Sequence, residues 1–346
     1  MAREHSKSLL LKLAFVTPAL VLVAAAGLAA LLYYGTSMPG AAWQGPLPAP
    51  TAGEEAAAAR LAAHVQMLAG EIDERHYLRT EALERAATYI EDQFREFRYV
   101  PRIEEINNKG FRNIRVDLYG TSARRRILVI GAHYDTTWLS PGADDNASGV
   151  AVLLELARAF SGRRQPLSLR FIAFTNEERP FFGTAEMGSR VSAERSRSSA
   201  EDIIGMYSLE MLGYYSDEEH SQWYPRVIRD FYPTQGNFVA FISNFGSRPF
   251  LGRSLAAFRV HASFPSQGMS APRFLVPAIR RSDHSSYWAF GYPAVMITDT
   301  ANFRNPNYHR SSDRPETLDY DRMAAVLTGL IAMIETLAAD QTEQVE

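Results

Sequence analysis

At several points in this chain an apolar run stops and a histidine or a carboxylate begins. ILVIGA (127–132) leads into His133-Tyr134-Asp135, and a loop later GADDNASG occupies 142–149. SLRFIAF (168–174) leads into Asn176-Glu177-Glu178, IIGMYSL (203–209) stops at Glu210, and AVMITDT (294–300) precedes Tyr308-His309. The chain contains no cysteine, so thiolate metal sites, disulfide frameworks and cysteine nucleophiles are excluded. Any metal must be held by His, Asp and Glu. Two imidazoles with three carboxylates make a hard-to-borderline donor set that suits Zn²⁺. One carboxylate can bridge two cations through its two oxygens. A second carboxylate and one His then complete each metal, and a neighbouring Glu left unligated can take a proton from an activated water. Asp135, two residues past His133, is placed to accept the other imidazole N–H.

Each element has an ordinary reading when taken alone. A single His is commonly structural, and Asp-Asp ahead of a helix is commonly an N-cap, a reading open to Asp144. Glu177-Glu178 alone would be a solvated pair, and Asn146-Ala147-Ser148 matches a glycosylation sequon that arises often by chance. Their joint placement at strand ends favours metal chemistry.

The elements that would present these groups alternate in type. Helical periodicity covers 54–71, 79–97, 147–160 and 183–193. Strand-like runs cover 113–118, 127–132, 168–174, 203–209, 237–243 and 294–298. A last helix over 321–338 places Val326, Leu327, Leu330, Ile334 and Leu337 on one face, with Asp319 as its N-cap. The pattern predicts an α/β three-layer sandwich, with a largely parallel mixed central sheet flanked by helices. Ligands bind beyond the carboxyl ends of the strands in such sheets. The Tyr- and Trp-containing segment 214–252 reads as an insertion after Glu210 that either covers the cleft or only packs.

The 346 residues carry a formal net charge of −3, 46% hydrophobic and 22% charged residues. That is ordinary globular usage and gives no electrostatic footprint for nucleic acid. The apolar content is uneven. Residues 13–34 form an uncharged run, preceded by Arg3, Lys7 and Lys12 and followed by no Lys or Arg until Arg60. As a helix this run spans about 30 Å of hydrocarbon, longer than the core of a cleavable signal peptide, which is the alternative. One transmembrane helix therefore precedes the sandwich. The charge asymmetry puts 1–12 in the cytoplasm, 13–34 in the membrane as a signal anchor, and the rest on the extracytoplasmic side. A Pro/Ala/Gly spacer covers 35–53, and 54–346 reads as a single domain with no second linker.

HYD (133–135), GADDNASG (142–149), NEE (176–178), the acid within SLEM (208–211) and YH (308–309), in that order, resemble the M28 family of zinc-dependent peptidases, of the aminopeptidase S/Y type. The resemblance implies a metal-dependent exopeptidase, an aminopeptidase foremost, with two zinc ions and peptide substrates bearing a free N-terminus. It implies that Asp145 bridges both zincs, that His133 and Glu210 complete one, and that Glu178 and His309 complete the other. Glu177 would be the general base, and Asp135 would orient His133. Tyr308 resembles a tyrosine that stabilises the tetrahedral intermediate in some members. The family more often has Asp where this chain has Glu210, and the extra methylene would shift that metal's geometry. Asp283-His284-Ser285 resembles an SDH element of the family, which gives Asp283 and His284 a place lining the pocket or supporting the site. A Ser–His–Asp hydrolase reading fails because no G-x-S-x-G elbow presents a nucleophile. Carboxypeptidase, dipeptidase and glutaminyl cyclase activities, or an inactive binding module, remain alternatives on the same fold.

Overall fold

A computed structural model describes residues 20–106 and 110–339. Arg3, Lys7, Lys12 and the first part of the expected membrane span lie outside the described residues. In chain order the elements are α1 (Leu20–Thr36), α2 (Ala52–Val65), α3 (Thr80–Glu96), β1 (Arg102–Ile106), β2 (Phe111–Leu118), β3 (Arg126–His133), α4 (Gly149–Phe160), β4 (Ser168–Phe174), α5 (Gly188–Ser198), β5 (Asp202–Glu210), β6 (Val239–Ser243), α6 (Arg248–His261), β7 (Ser266–Ser270), α7 (His284–Ala289), β8 (Ala294–Thr298) and α8 (Tyr320–Ala339).

The strands form one sheet in the order β1-β2-β4-β3-β5-β8-β6-β7. Its four central strands, β4, β3, β5 and β8, run parallel, and β6–β7 is a second parallel pair. The junctions β1–β2, β2–β4 and β8–β6 are antiparallel. The expected three-layer sandwich with a largely parallel mixed sheet is the observed fold.

Period-two alternation builds the layers. Along β3, Leu128, Ile130 and Ala132 enter the larger core, under α2, α3, α4, α6 and α8. Ile127 and Val129 point the other way, into a smaller core with Ala193 of α5 and Tyr287 of α7. Both faces are covered, so the central strands read as unbroken apolar runs. Arg170 interrupts β4 on the smaller side. It is buried there between Asp117 and Glu201, with Nε donating to Asp117 Oδ1 at 2.8 Å and Nη2 to Glu201 Oε1 at 2.7 Å. On α3, Leu83, Ala86, Ala87, Ile90 and Phe94 share the buried stripe.

Several boundaries differ from the sequence reading. The first domain helix begins at Ala52 because Thr51 and Glu54 form a capping box: Glu54 N donates to Thr51 Oγ1 at 3.2 Å, and Thr51 N donates to Glu54 Oε2 at 2.9 Å. The helix expected over 183–193 lies at 188–198, because turns with cis-Pro180 and a positive-φ Gly183 occupy the earlier residues. Segment 214–252 is an insertion only as far as about Phe238, since β6 and the start of α6 take the remainder. β1, α6 and β7 are not marked by the sequence pattern. β1 and β7 are edge strands with few apolar residues, and Pro, Gly and three Arg obscure the stripe of α6. Asp319 does cap α8, accepting from Arg322 N at 3.0 Å.

Among the described residues, α8 is the one helix long and apolar enough to cross a membrane, and more than half of it is buried against the core. It is a core helix packed on α2 and α6. Helix α1 is shorter within the described residues, and its residues 20–30 are exposed.

Candidate metal centre

The carboxyl ends of β3, β4 and β5 and the loop after β8 converge at one point. His133 is the last residue of β3 and Glu210 the last of β5. Glu177 and Glu178 follow β4 by three and four residues, and His309 stands beyond β8. Asp145 comes from the turn between β3 and α4, where Gly142 takes φ +63°. A Cβ at Gly142 would lie 2.2 Å from the Asp145 carbonyl oxygen, so glycine is required.

Two triads of donor atoms result, and they share Asp145. His133, Asp145 and Glu210 form one, and Asp145, Glu178 and His309 form the other, each with ligand atoms mutually within 4.8 Å. His133 Nε2 lies 3.4 Å from both Asp145 Oδ1 and Glu210 Oε2. His309 Nε2 lies 3.1 Å from Asp145 Oδ2 and 3.2 Å from Glu178 Oε1. Asp145 thus turns one oxygen to each histidine. Glu177 belongs to neither triad, and its Oε2 is 4.0 Å from His133 Nε2. The longer side chain of Glu210 still reaches the His133 triad.

The electrostatics favour a cation. Burial lowers the His309 imidazole, but the Asp145 and Glu178 carboxylates overcome it and push the group up to about 10. His133 is driven in the same direction by Glu210 and Glu177, against its own burial. Asp145 is opposed by burial yet held below the usual carboxylate range by its two histidines. Glu177 is pushed up by burial, with the Glu210 and Glu178 charges adding. Buried His133 Nε2 and Asp145 Oδ1 have no hydrogen-bond partner. Orphaned donors of this kind facing one another, in a His/carboxylate set, fit bound zinc.

The profile of peptidase family M28 matches residues 113–334. The chain belongs to peptidase family M28. The uncharacterized protein YfbL of Escherichia coli is 37% identical over 263 residues, which cover 73% of this chain and 80% of that protein. A probable zinc metalloprotease of Pyricularia oryzae is 27% identical over 65% of this chain, and the chain spans 49% of that longer protein. The solved structure of BSAP, a zinc aminopeptidase from Bacillus subtilis, shares the fold at TM-score 0.64 and 16% identity, over 81% of this chain and 95% of that one. Family membership makes this chain a hydrolase of the metallopeptidase type.

The candidate centre rests on buried contacts, some of which sequence reasoning does not reach. Asp313 takes the backbone N–H groups of Asp144 and Asp145 at 2.9 and 3.1 Å, fixing the turn that carries Asp145. Arg75 is fully buried and donates to the carbonyls of Leu68, Asp73, Tyr134, Pro141 and Gly142, clamping the loop between His133 and Asp145. Ser282 donates to Glu210 Oε2 at 2.6 Å. Asn146 is buried, donating to Leu209 O and accepting from Met211 N, so it holds the end of β5 and offers no site for a glycan. Asp144 is not a helix cap. It accepts from Gly213 N and Asn305 Nδ2, joining the loops after β5 and β8.

Asp135 supports the site through two sets of contacts. Its carboxylate stands 3.6 Å from His133 Nδ1, and its backbone carbonyl makes the closer contact at 3.1 Å. The carboxylate also accepts from Glu177 N and Glu178 N at 3.1 and 3.0 Å, fixing the turn that carries both glutamates. Three non-glycine residues here adopt positive φ: Asn176 (60°), Met211 (49°) and His309 itself (58°). Such strain is concentrated where groups must be aimed.

Tyr308 stacks on His309 with ring centroids 3.8 Å apart. Burial and the neighbouring Asp145 and Glu178 charges push its phenol up, so it stays a donor at neutral pH. Tyr308 and Glu210 both line one pocket. Its walls are mainly apolar, drawn from segment 222–232, β6, β7, 276–281, β8 and 300–303. The insertion after Glu210 therefore forms one wall of that pocket. Asp283 is buried with both carboxylate oxygens unpartnered, and burial raises it to about 7. His284 turns its Nε2 to Ile279 O at 2.6 Å, so it braces a pocket-lining residue rather than reaching the triads.

Proposed function

We propose that the protein is an aminopeptidase with a dinuclear zinc centre. The observation that carries this reading is the pair of triads sharing Asp145, with Glu177 left free at their side and a pocket bordered by Glu210 and Tyr308. In this reading His133, Asp145 and Glu210 hold one zinc, and Asp145, Glu178 and His309 hold the other. Zinc bound there would supply Lewis acidity to water and to the scissile carbonyl. Glu177 accepts the proton of the attacking water and returns it to the leaving amine. Tyr308 donates to the developing oxyanion. The substrate's free α-amino group meets the acid-rich centre, while the side chain of its first residue enters the pocket. Asp135 acts as a support through the backbone of the two glutamates.

The domain is proposed to sit at a membrane. Residues 13–34 cross it, 1–12 remain in the cytoplasm, and the domain from about 52 onward lies on the other side. The exposed apolar residues 20–30 of α1 support this.

Glu177→Gln tests the base assignment. The variant should fold and bind zinc as wild type does, yet lose most hydrolysis of amino-acid amides and dipeptides. Near-normal turnover would refute the assignment. Wild type should cleave free-amine substrates and leave N-acetylated ones intact; the opposite preference would refute the aminopeptidase reading.

A further inference from the structure

The chain between α1 and the domain does not swing free. Arg248 donates to the carbonyls of Tyr34 and Ser37 at 2.8 and 2.7 Å, and its guanidinium lies 4.0 Å from the Tyr34 ring centroid. Arg259 donates to the carbonyls of Pro39 and Gly40, both at 2.9 Å. Leu32, in the last turns of α1, packs into a cluster with Ile228, Met269, Val276 and Ile279. Those four residues also line the pocket beside Glu210. Helix α1 therefore leaves the domain at a fixed place, directly behind a pocket wall.

The surface beside that exit is unusual for one facing water. Trp223, Phe231 and Phe274 are 72%, 48% and 81% exposed, each adjoining residues of the Leu32 cluster in sequence. The two segments that bear them, 223–231 and 272–281, contain five arginines and one acid, although the whole chain is net negative. Among the described residues, exposed Arg226, Arg273 and Arg280 have no acidic partner. Exposed aromatic rings interleaved with unpaired arginines, next to an exposed apolar helix, match the composition of a membrane–water interface.

We infer that this face rests on the bilayer. Trp223, Phe231 and Phe274 lie at headgroup level, and Arg226, Arg273 and Arg280 meet lipid phosphates. The inference rests on the reading of α1 as a membrane helix, whose fixed exit brings lipid to this face rather than to another. It holds the pocket wall at the membrane surface, so the enzyme works on peptide N-termini close to the bilayer rather than at the end of a tether.

The absence of cysteine makes single labels unique. Full-length protein carrying Phe274→Cys, Leu22→Cys or Val100→Cys is spin-labelled and placed in nanodiscs of phosphatidylcholine and phosphatidylglycerol. Accessibility to oxygen is compared with accessibility to a polar nickel chelate. Val100 is 83% exposed and precedes β1, the opposite edge strand of the sheet from β7, so it reports water. The expected result is an oxygen-to-nickel ratio several-fold higher at 274 and at 22 than at 100. A ratio at 274 equal to that at 100, with 22 in lipid, overturns the docking and leaves the anchor standing. Water-like ratios at both 274 and 22 overturn the docking and the membrane reading together.

Discussion

Ser282→Ala should separate the two metal sites. Ser282 Oγ donates to Glu210 Oε2 at 2.6 Å, and Glu210 is a donor in only one of the two triads. A hydrogen bond to a charged acceptor contributes about 1.5–3 kcal/mol. At about 1.4 kcal/mol per tenfold, its loss weakens zinc at the His133–Asp145–Glu210 position by about 10- to 100-fold. The Asp145–Glu178–His309 position has no contact with Ser282 and should keep its affinity. The substitution also strips a partner from the Ser208 hydroxyl, which lies 2.7 Å from Ser282 Oγ, so stability falls by about 1 kcal/mol. The assay is competitive titration of zinc against a chelator on the full chain, with thermal unfolding alongside. Two binding steps are expected in wild type, with only one displaced in the variant. Equal displacement of both steps, or of neither, would refute the reasoning that Glu210 serves one metal and is aimed by Ser282.

Two further outcomes follow from buried charges. Arg75→Met removes the side-chain donor from the buried carbonyls of Leu68, Tyr134 and Pro141, and each unsatisfied group costs about 1–3 kcal/mol. Urea unfolding should show a loss of several kcal/mol or no folded protein; a loss under about 1 kcal/mol would mean the clamp is dispensable. His284 is buried and neutral, lowered by burial from the ordinary 6.5 to about 4. Unfolded chains take up a proton as pH falls below about 6.5 while the native state does not, so stability falls by about 3 kcal/mol between pH 6.5 and pH 4. His284→Gln should lack that part of the acid slope in denaturant titrations at a series of pH values, and an unchanged slope would refute the assignment.

The groups that the structure gathers were visible because β3, β4, β5 and β8 are covered on both faces. An imidazole or a carboxylate then stands out as the end of an apolar run, as at His133 and Glu210. The edges were not visible for the converse reason. RIEEI and SQGMS do not alternate apolar with polar residues, and pairing with neighbours, not pattern, makes them strands. The supporting contacts were hidden by distance along the chain. Asp313 reaches N–H groups 169 and 168 residues away, and Arg75 works entirely through backbone carbonyls. Asp135 shows the limit of local inference: its place two residues from His133 points to the neighbouring ring, but not to the turn after β4 that its carboxylate also holds.

The shared carboxylate is the centre of this account, and bound zinc per chain measures it directly. Metal analysis of purified full-length protein should give two zincs for wild type, one for His133→Ala, one for His309→Ala and none for Asp145→Ala, because only Asp145 belongs to both triads. One zinc in wild type, or an Asp145→Ala protein that folds and still holds a zinc, would contradict it.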